Sequence, residues 1–167
     1  MLQDLTVRKA VEFAITVEEF GEKTYRRLAK KFSDDQELVK LFEGLAADED
    51  IHRKQFTKLL ETAEKMDEDN MDYERKQYLR AMSISEFFSK SHGPFKDAAK
   101  FESSADALQA AFGLEKALVG FYTAMRDVLG DDTVLEEIIK AEKQHTITVM
   151  KLMMSDGKYR TLQDQWA

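Results

Sequence analysis

The chain has 167 residues, of which 43% are hydrophobic and 34% charged, and its net charge is −7. This balance is ordinary for a soluble globular protein, and the length allows one sizeable core, so we expect a single domain over residues 1–167. The acidic charge and the lack of a basic run argue against nucleic acid as a partner. Zero cysteines exclude disulfides, thiolate-bound metals and a rubredoxin-type iron centre within these residues.

The N-terminal residues do not combine a basic start with an apolar signal core, and no stretch of about 18 apolar residues occurs. We therefore expect a soluble, cytoplasmic protein with no membrane partner. One proline and seven glycines favour a helical chain.

Apolar residues recur at spacings of three and four in the first third of the chain, which predicts two amphipathic helices. The first helix is predicted from about Thr6 to Lys31. Ser33 is the predicted N-cap of the second helix, which continues to about Met66. Because the connection is short, the two helices are predicted to form an antiparallel hairpin over residues 6–66.

The last third repeats this design over residues 104–155. Ser103 or Ser104 is the predicted N-cap of the third helix, and a turn follows at 130–132. Thr133 and Glu136 are predicted to form a capping box at the start of the fourth helix. A second antiparallel hairpin is therefore expected.

Residues 67–103 connect the two hairpins. This segment opens with an acidic run and then shows helical periodicity through Tyr73, Tyr78, Met82 and Phe87, which ends at Pro94. It is too long for a tight turn, so we predict a crossover with one or two short helices. The predicted fold is an all-α four-helix bundle of two antiparallel hairpins with a long, partly helical crossover.

The sequence Glu-x-x-His occurs twice, once in the second predicted helix of each hairpin. Residues three apart share one face of a helix, so each copy directs a carboxylate and an imidazole toward one point. A lone glutamate precedes each copy in the first helix of its hairpin. The six residues are Glu18, Glu49, His52, Glu115, Glu142 and His145.

All six residues occupy the apolar stripes of their helices, and no lysine or arginine does. Buried carboxylates without partners are costly, so four of them facing one another need cations, and two divalent ions cancel their charge. Structural zinc sites favour cysteine and histidine, and calcium sites contain only oxygen ligands, whereas mixed carboxylate and imidazole ligands suit iron or manganese. We predict two iron ions, with manganese or zinc as substitutes.

Two tyrosines, Tyr25 and Tyr122, each follow a lone glutamate by seven residues, or two helical turns. Because helical side chains lean toward the N-terminus, each phenol can reach the carboxylate layer and donate a hydrogen bond there. The alternative is an ordinary core tyrosine. We predict that both tyrosines support the metal site.

Three other acids lie beside the motifs. Glu19 and Glu22 are predicted to lie on a solvated face rather than to bind metal. Asp48 either orients a histidine or is a surface acid, and the sequence does not decide between these roles.

At these residues the chain resembles the rubrerythrin-type members of the ferritin-like di-iron carboxylate proteins. The resemblance covers both hairpins and includes the segment 14–18, Gly21 with Tyr25, and Phe121 with Tyr122. It implies a ferritin-like bundle with this ligand set.

The resemblance also implies how the ligands are shared. Glu49 and Glu142 would bridge the two irons. Glu18 and Glu115 would each bind one iron, as would His52 and His145.

Family members reduce hydrogen peroxide or dioxygen, or oxidise ferrous iron, so the resemblance implies a di-iron oxidoreductase. Non-catalytic iron binding, storage or delivery is the alternative, and a vestigial site is a third hypothesis. Rubrerythrins have a further glutamate where this chain has Leu118, and commonly a four-cysteine module that delivers electrons, which these residues lack. We therefore expect an external electron donor, and we also expect a homodimer.

Overall fold

The computed structural model describes residues 6–63, 73–74, 77–79, 81, 101–130 and 132–155. These residues contain four long helices and no β-strand. The helices are α1 (Val7–Lys31), α2 (Gln36–Ala63), α3 (Ser104–Leu129) and α4 (Thr133–Ser155). The predicted all-α fold is confirmed for this part of the chain.

The helices pack as two hairpins, α1 against α2 and α3 against α4. Connections of only a few residues, at 32–35 and 130–132, make the partners antiparallel. The hairpins meet through contacts of α1 with α3 and of α2 with α4. The apolar stripes of all four helices therefore face one shared core, whose largest fully buried apolar side chains include Phe42, Phe56, Phe121, Leu28, Leu38 and Leu108.

The ends of α1 follow the sequence pattern closely. The Thr6 hydroxyl accepts a hydrogen bond from the backbone N–H of Lys9 at 3.2 Å, which makes Thr6 the N-cap. At the other end, the N–H of Phe32 donates to the carbonyl of Leu28 at 3.0 Å. The helix thus begins one residue after the predicted start and ends at the predicted residue.

The prediction that Ser33 caps α2 is wrong. The carboxylate of Asp35 accepts hydrogen bonds from the N–H groups of Glu37 and Leu38, both at 3.1 Å. A carboxylate at this position satisfies two free donors and also interacts favourably with the helix dipole. The helix therefore begins at Gln36, and Ser33 lies in the turn.

The predicted cap of α3 is confirmed at Ser103. Its hydroxyl accepts from the N–H of Asp106 at 3.1 Å, and the Asp106 carboxylate accepts from the N–H of Ser103 at 3.2 Å. This reciprocal pair is a capping box. The helix ends at Leu129 and is followed by Gly130, whose φ of +87° lies in a region that glycine adopts without strain.

The predicted capping box of Thr133 with Glu136 is wrong. Asp132 instead accepts hydrogen bonds from the N–H groups of Val134 at 2.9 Å and Leu135 at 3.0 Å. As at the start of α2, an aspartate directly before the helix satisfies the free donors. The Glu136 carboxylate instead forms an ion pair with Arg126 of α3 at 3.1 Å.

The described positions between the hairpins, 73–74, 77–79 and 81, are helical, and Leu79 is buried in the core. Tyr73 and Tyr78 are exposed. Apart from residues 101–103, which directly precede α3, the rest of the predicted crossover lies outside the described residues. This includes Met82, Phe87 and Pro94, and Met66 also lies outside them. None of the described helices is long and apolar enough to span a bilayer.

Candidate metal centre

The six predicted ligands meet in the centre of the bundle. The four glutamates are fully buried, and the exposed fractions of His52 and His145 are only 4% and 7%. Every one of the four long helices contributes at least one of these side chains. The apolar stripes therefore surround a single layer of ionisable groups.

The ligand atoms fall into two groups, and within each group they lie within 4.8 Å of one another. One group consists of Glu18, Glu49, His52 and Glu142, and the other of Glu115, Glu142 and His145. Glu142 belongs to both groups. Its Oε1 lies 2.7 Å from His52 Nδ1, and its Oε2 lies 3.3 Å from His145 Nδ1. A carboxylate that bridges two ions has this arrangement.

Glu49 belongs to one group only. Its predicted bridging role therefore stays a prediction. Leu118, at the position of the missing glutamate, is a buried member of the apolar core.

Several polar atoms in this layer have no hydrogen-bond partner. They are Glu18 Oε2, both carboxylate oxygens of Glu49, His52 Nδ1, Glu115 Oε2 and Glu142 Oε1. Although His52 Nδ1 and Glu142 Oε1 approach closely, their angles are not those of a hydrogen bond. Buried polar atoms are nearly always paired, so a cluster of unpaired carboxylate oxygens needs another source of stabilisation. Two divalent cations fit this donor set in charge and in ligand type.

Burial strongly shifts the pKa values of the carboxyl groups at this site in the metal-free protein. It raises the pKa of Glu18 to about 7 and that of Glu115 to about 8. Burial also raises the pKa of Glu49 well above its ordinary value, and the charges of Glu18 and Glu142 add to this effect. These groups therefore hold protons near neutral pH, and a metal ion must displace them to bind.

Glu142 behaves differently from the other three carboxyl groups. Burial opposes its ionisation, but contacts with His145 and His52 outweigh burial and lower its pKa to about 2. Burial likewise opposes the charged form of His145, but Glu115 and Glu142 raise its pKa to about 11. Without metal, the shared carboxylate is thus balanced by protonated imidazole.

The two tyrosines reach the carboxylate layer crosswise. Tyr25 on α1 donates a hydrogen bond to Glu115 Oε1 on α3, and Tyr122 on α3 donates to Glu18 Oε1 on α1. Each phenol thus contacts the glutamate of the opposite hairpin, a pairing that the sequence did not indicate. The second oxygen of each carboxylate has no hydrogen-bond partner and can bind metal.

Asp48 contacts a histidine of the other hairpin. Its Oδ2 lies 3.0 Å from His145 Nε2, while His145 Nδ1 lies 3.3 Å from both Glu115 and Glu142. This contact favours a proton on Nε2 and turns Nδ1 toward the carboxylates. This geometry therefore supports the prediction that Asp48 orients a histidine. The residue equivalent to Asp48 in the second hairpin is Ala141, which has no carboxylate and cannot make the matching contact with His52.

Of the two neighbouring acids, Glu19 is exposed and Glu22 is partly exposed. Glu19 forms an ion pair with Lys23, and Glu22 forms one with Arg26 at 3.0 Å. Neither acid belongs to a ligand group.

Gly21 provides space that Glu49 needs. A Cβ atom at Gly21 would lie 3.0 Å from Glu49 Oε1 and 3.1 Å from Glu49 Cδ. Such contacts are closer than an ordinary van der Waals approach, so an alanine would displace the carboxylate. The sequence indicates Gly21 only as part of the resemblance, and the structure shows which side chain lies against it.

We expect Gly21→Ala to weaken metal binding by about tenfold or more, because Glu49 must shift. Gly113→Ala is the matched control, since a Cβ atom there meets nothing within 4 Å. That substitution should raise the free energy of unfolding by about 0.5–1 kcal/mol through helix propensity. Metal titration and urea unfolding of both variants test this. Equal metal affinities of Gly21→Ala and Gly113→Ala would contradict this prediction, because Glu49 could then move away from the added methyl group and still bind metal.

Comparison with known proteins agrees with this geometry. The family model for rubrerythrin matches residues 9–153, a range that contains both hairpins and all six predicted ligands. No curated protein and no solved structure matches the chain. Because the family match extends over most of the sequence and includes the buried Glu-x-x-His pairs, the chain belongs to the rubrerythrin family.

Proposed function

We propose that this chain is a di-iron oxidoreductase that reduces hydrogen peroxide or dioxygen with electrons from an external donor. The main support is the buried layer in which Glu142 joins two ligand groups and several carboxylate oxygens have no hydrogen-bond partner. Mixed glutamate and histidine ligands suit iron. Two adjacent ferrous ions would supply the two electrons that reduction of one peroxide requires.

The protein's own residues prepare this site. Glu142 would hold the two ions next to each other, and the surrounding apolar stripes exclude bulk water. Tyr25 and Tyr122 each fix one oxygen of a glutamate and leave the other for metal. Burial raises the pKa of both phenols well above the ordinary value, so they remain hydrogen-bond donors over the working pH range.

The test is to mix reduced, iron-loaded protein with hydrogen peroxide or with dioxygen and follow the oxidation of iron. We expect one peroxide to be consumed for each pair of ferrous ions, with turnover only when a reductant is added. Zinc-loaded protein is the control, because zinc has no redox chemistry. A faster reaction with peroxide would indicate a peroxidase, and a faster reaction with dioxygen an oxidase or ferroxidase.

If the protein binds iron but neither oxidant reacts, the oxidoreductase proposal fails. Iron binding, storage or delivery without catalysis then becomes the function.

Tyr122→Phe is expected to lower metal affinity by about 10–100-fold, because Glu18 loses the hydrogen bond that positions it. The ring itself remains packed against Phe56, at a centroid distance of 4.8 Å. Tyr73→Phe is the matched control, since Tyr73 is exposed. Metal titration of both variants distinguishes a supporting hydroxyl from a tyrosine that only fills the core, for which the two affinities would be equal.

A further inference from the structure

A groove of about 570 Å³ opens between α2 and α4 and extends to the metal centre. Leu41, Leu45 and Leu152 form its apolar walls, and the buried His145 and the half-exposed Asp48 also line it. The groove is thus a partly open cleft that reaches a predicted metal ligand. Its volume falls within the range of about 300–1,000 Å³ that is typical of sites for small organic molecules.

The groove reaches the outer side of His145 rather than the metal positions. His145 Nδ1 faces Glu115 and Glu142, whereas Nε2 faces Asp48, which also lines the groove. A small oxidant must bind the metals themselves, so this route does not serve it. An electron donor needs only contact with a side chain that binds the metal. The geometry therefore suits a reductant.

Two lysines lie along the groove. Lys40 and Lys151 both line it and are exposed, and neither has an ion-pair partner in the described part of the chain. Glu37 is the opposing charge at the rim, while Asp48 is paired with His145. On a protein with a net charge of −7, these two lysines provide a local contact for an anionic group.

We propose that this groove is the docking site of the external reductant, a small planar aromatic two-electron donor with an anionic group. Reduced flavin mononucleotide has this chemistry: its fused rings match the apolar walls and its phosphate matches the lysines. The proposal rests on the proposed function. The overall reaction balances as reduced flavin plus hydrogen peroxide giving oxidised flavin plus two water molecules, with two electrons and two protons passing from the flavin.

Gly44 offers a direct test, because it lies in the groove and a Cβ atom there meets nothing within 4 Å. Oxidised flavin mononucleotide should be titrated into metal-free and zinc-loaded protein, and binding followed by quenching of flavin fluorescence. We expect saturable binding by the parent protein. Gly44→Phe should weaken it at least about tenfold, because the ring fills the groove. Gly113→Phe, at another open helical glycine, should leave it unchanged.

A second variant tests the charge at the rim without filling the groove. The double substitution Lys40→Gln and Lys151→Gln should weaken binding several-fold and reduce its salt dependence. Absence of saturable binding, or equal affinity of the parent protein and Gly44→Phe, overturns the proposal. If peroxide oxidises the iron but flavin does not bind, only the docking site is wrong. If flavin binds the zinc form but the iron form does not react with either oxidant, the redox function is wrong instead.

Discussion

Glu142→Ala is expected to abolish binding of both metal ions rather than of one. Glu142 contributes an oxygen to each ligand group and lies next to both histidines. Its loss leaves three carboxylates against the charge of two divalent ions and separates the two groups. Metal analysis after iron loading should give two ions per chain for the parent protein and almost none for the variant. The affinity should fall by more than the roughly 10–100-fold typical of residues that only support a ligand.

Two further substitutions test whether both ions are lost because Glu142 contributes to both ligand groups. Glu137→Ala makes the same chemical change at an exposed position of the same helix and should retain both ions. Glu115→Ala affects one ligand group and should lose one ion. A Glu142→Ala protein that binds one ion as tightly as Glu115→Ala would contradict the shared role. Glu49→Ala, in the same assay, tests whether Glu49 also bridges.

The metal-free protein is expected to lose stability as the pH rises from about 4.5 to 8. The pKa of Glu18 is about 7 and that of Glu115 about 8 in the folded protein, against 4.5 for an unperturbed glutamate, because both are buried. Between these values the folded state binds protons that the unfolded state has released, so the free energy of unfolding falls with pH. For Glu18 alone the loss is on the order of 3 kcal/mol.

The remaining groups of the site do not reverse this slope. Since the pKa of His145 is raised from 6.5 to about 11, its contribution to stability is lost above pH 6.5, in the same direction. The pKa of Glu142 is lowered to about 2, so its stabilising contribution is lost only as the pH falls below about 4.5. The site by itself therefore favours the metal-free fold most near pH 4.5.

Urea unfolding at pH 5 and pH 8, followed by circular dichroism, tests this prediction. Divalent metal should remove the decline, because bound metal requires deprotonated ligands and gains affinity as the pH rises. The double variant Glu18→Gln with Glu115→Gln is the matched control, since its amides do not titrate. The decline should be smaller in this variant, with a remainder from Glu49 and His145, whose pKa values are also raised. Equal stability of the metal-free parent protein at both pH values would mean that these carboxyl groups are not buried without partners.

The sequence was sufficient to predict which residues form the centre. Helical periodicity of 3.6 residues places residues three and four apart on one face, so each Glu-x-x-His pair and each lone glutamate could be assigned to an apolar stripe. The structure buries all six side chains. Their burial could be predicted because it depends only on local helix geometry, while their role as metal ligands stays a prediction.

The helix starts were less predictable. Asp35 and Asp132 cap their helices in place of Ser33 and Thr133. Aspartate, serine and threonine differ by only a fraction of a kcal/mol, on the order of the spread within cap energies, so composition near the turn does not select one. The backbone conformation of the turn determines which of these residues caps the helix.

The tertiary structure alone decided the contacts between helices. Tyr25 pairs with Glu115 and Tyr122 with Glu18 because α1 lies beside α3, and Asp48 reaches His145 because α2 lies beside α4. A stripe pattern states which face of a helix is buried but not which helix it faces, since apolar burial has no direction. The sequence by itself therefore determined which ionisable side chains enter the core of this protein. The packing of the two hairpins decided which partner holds each ligand in place.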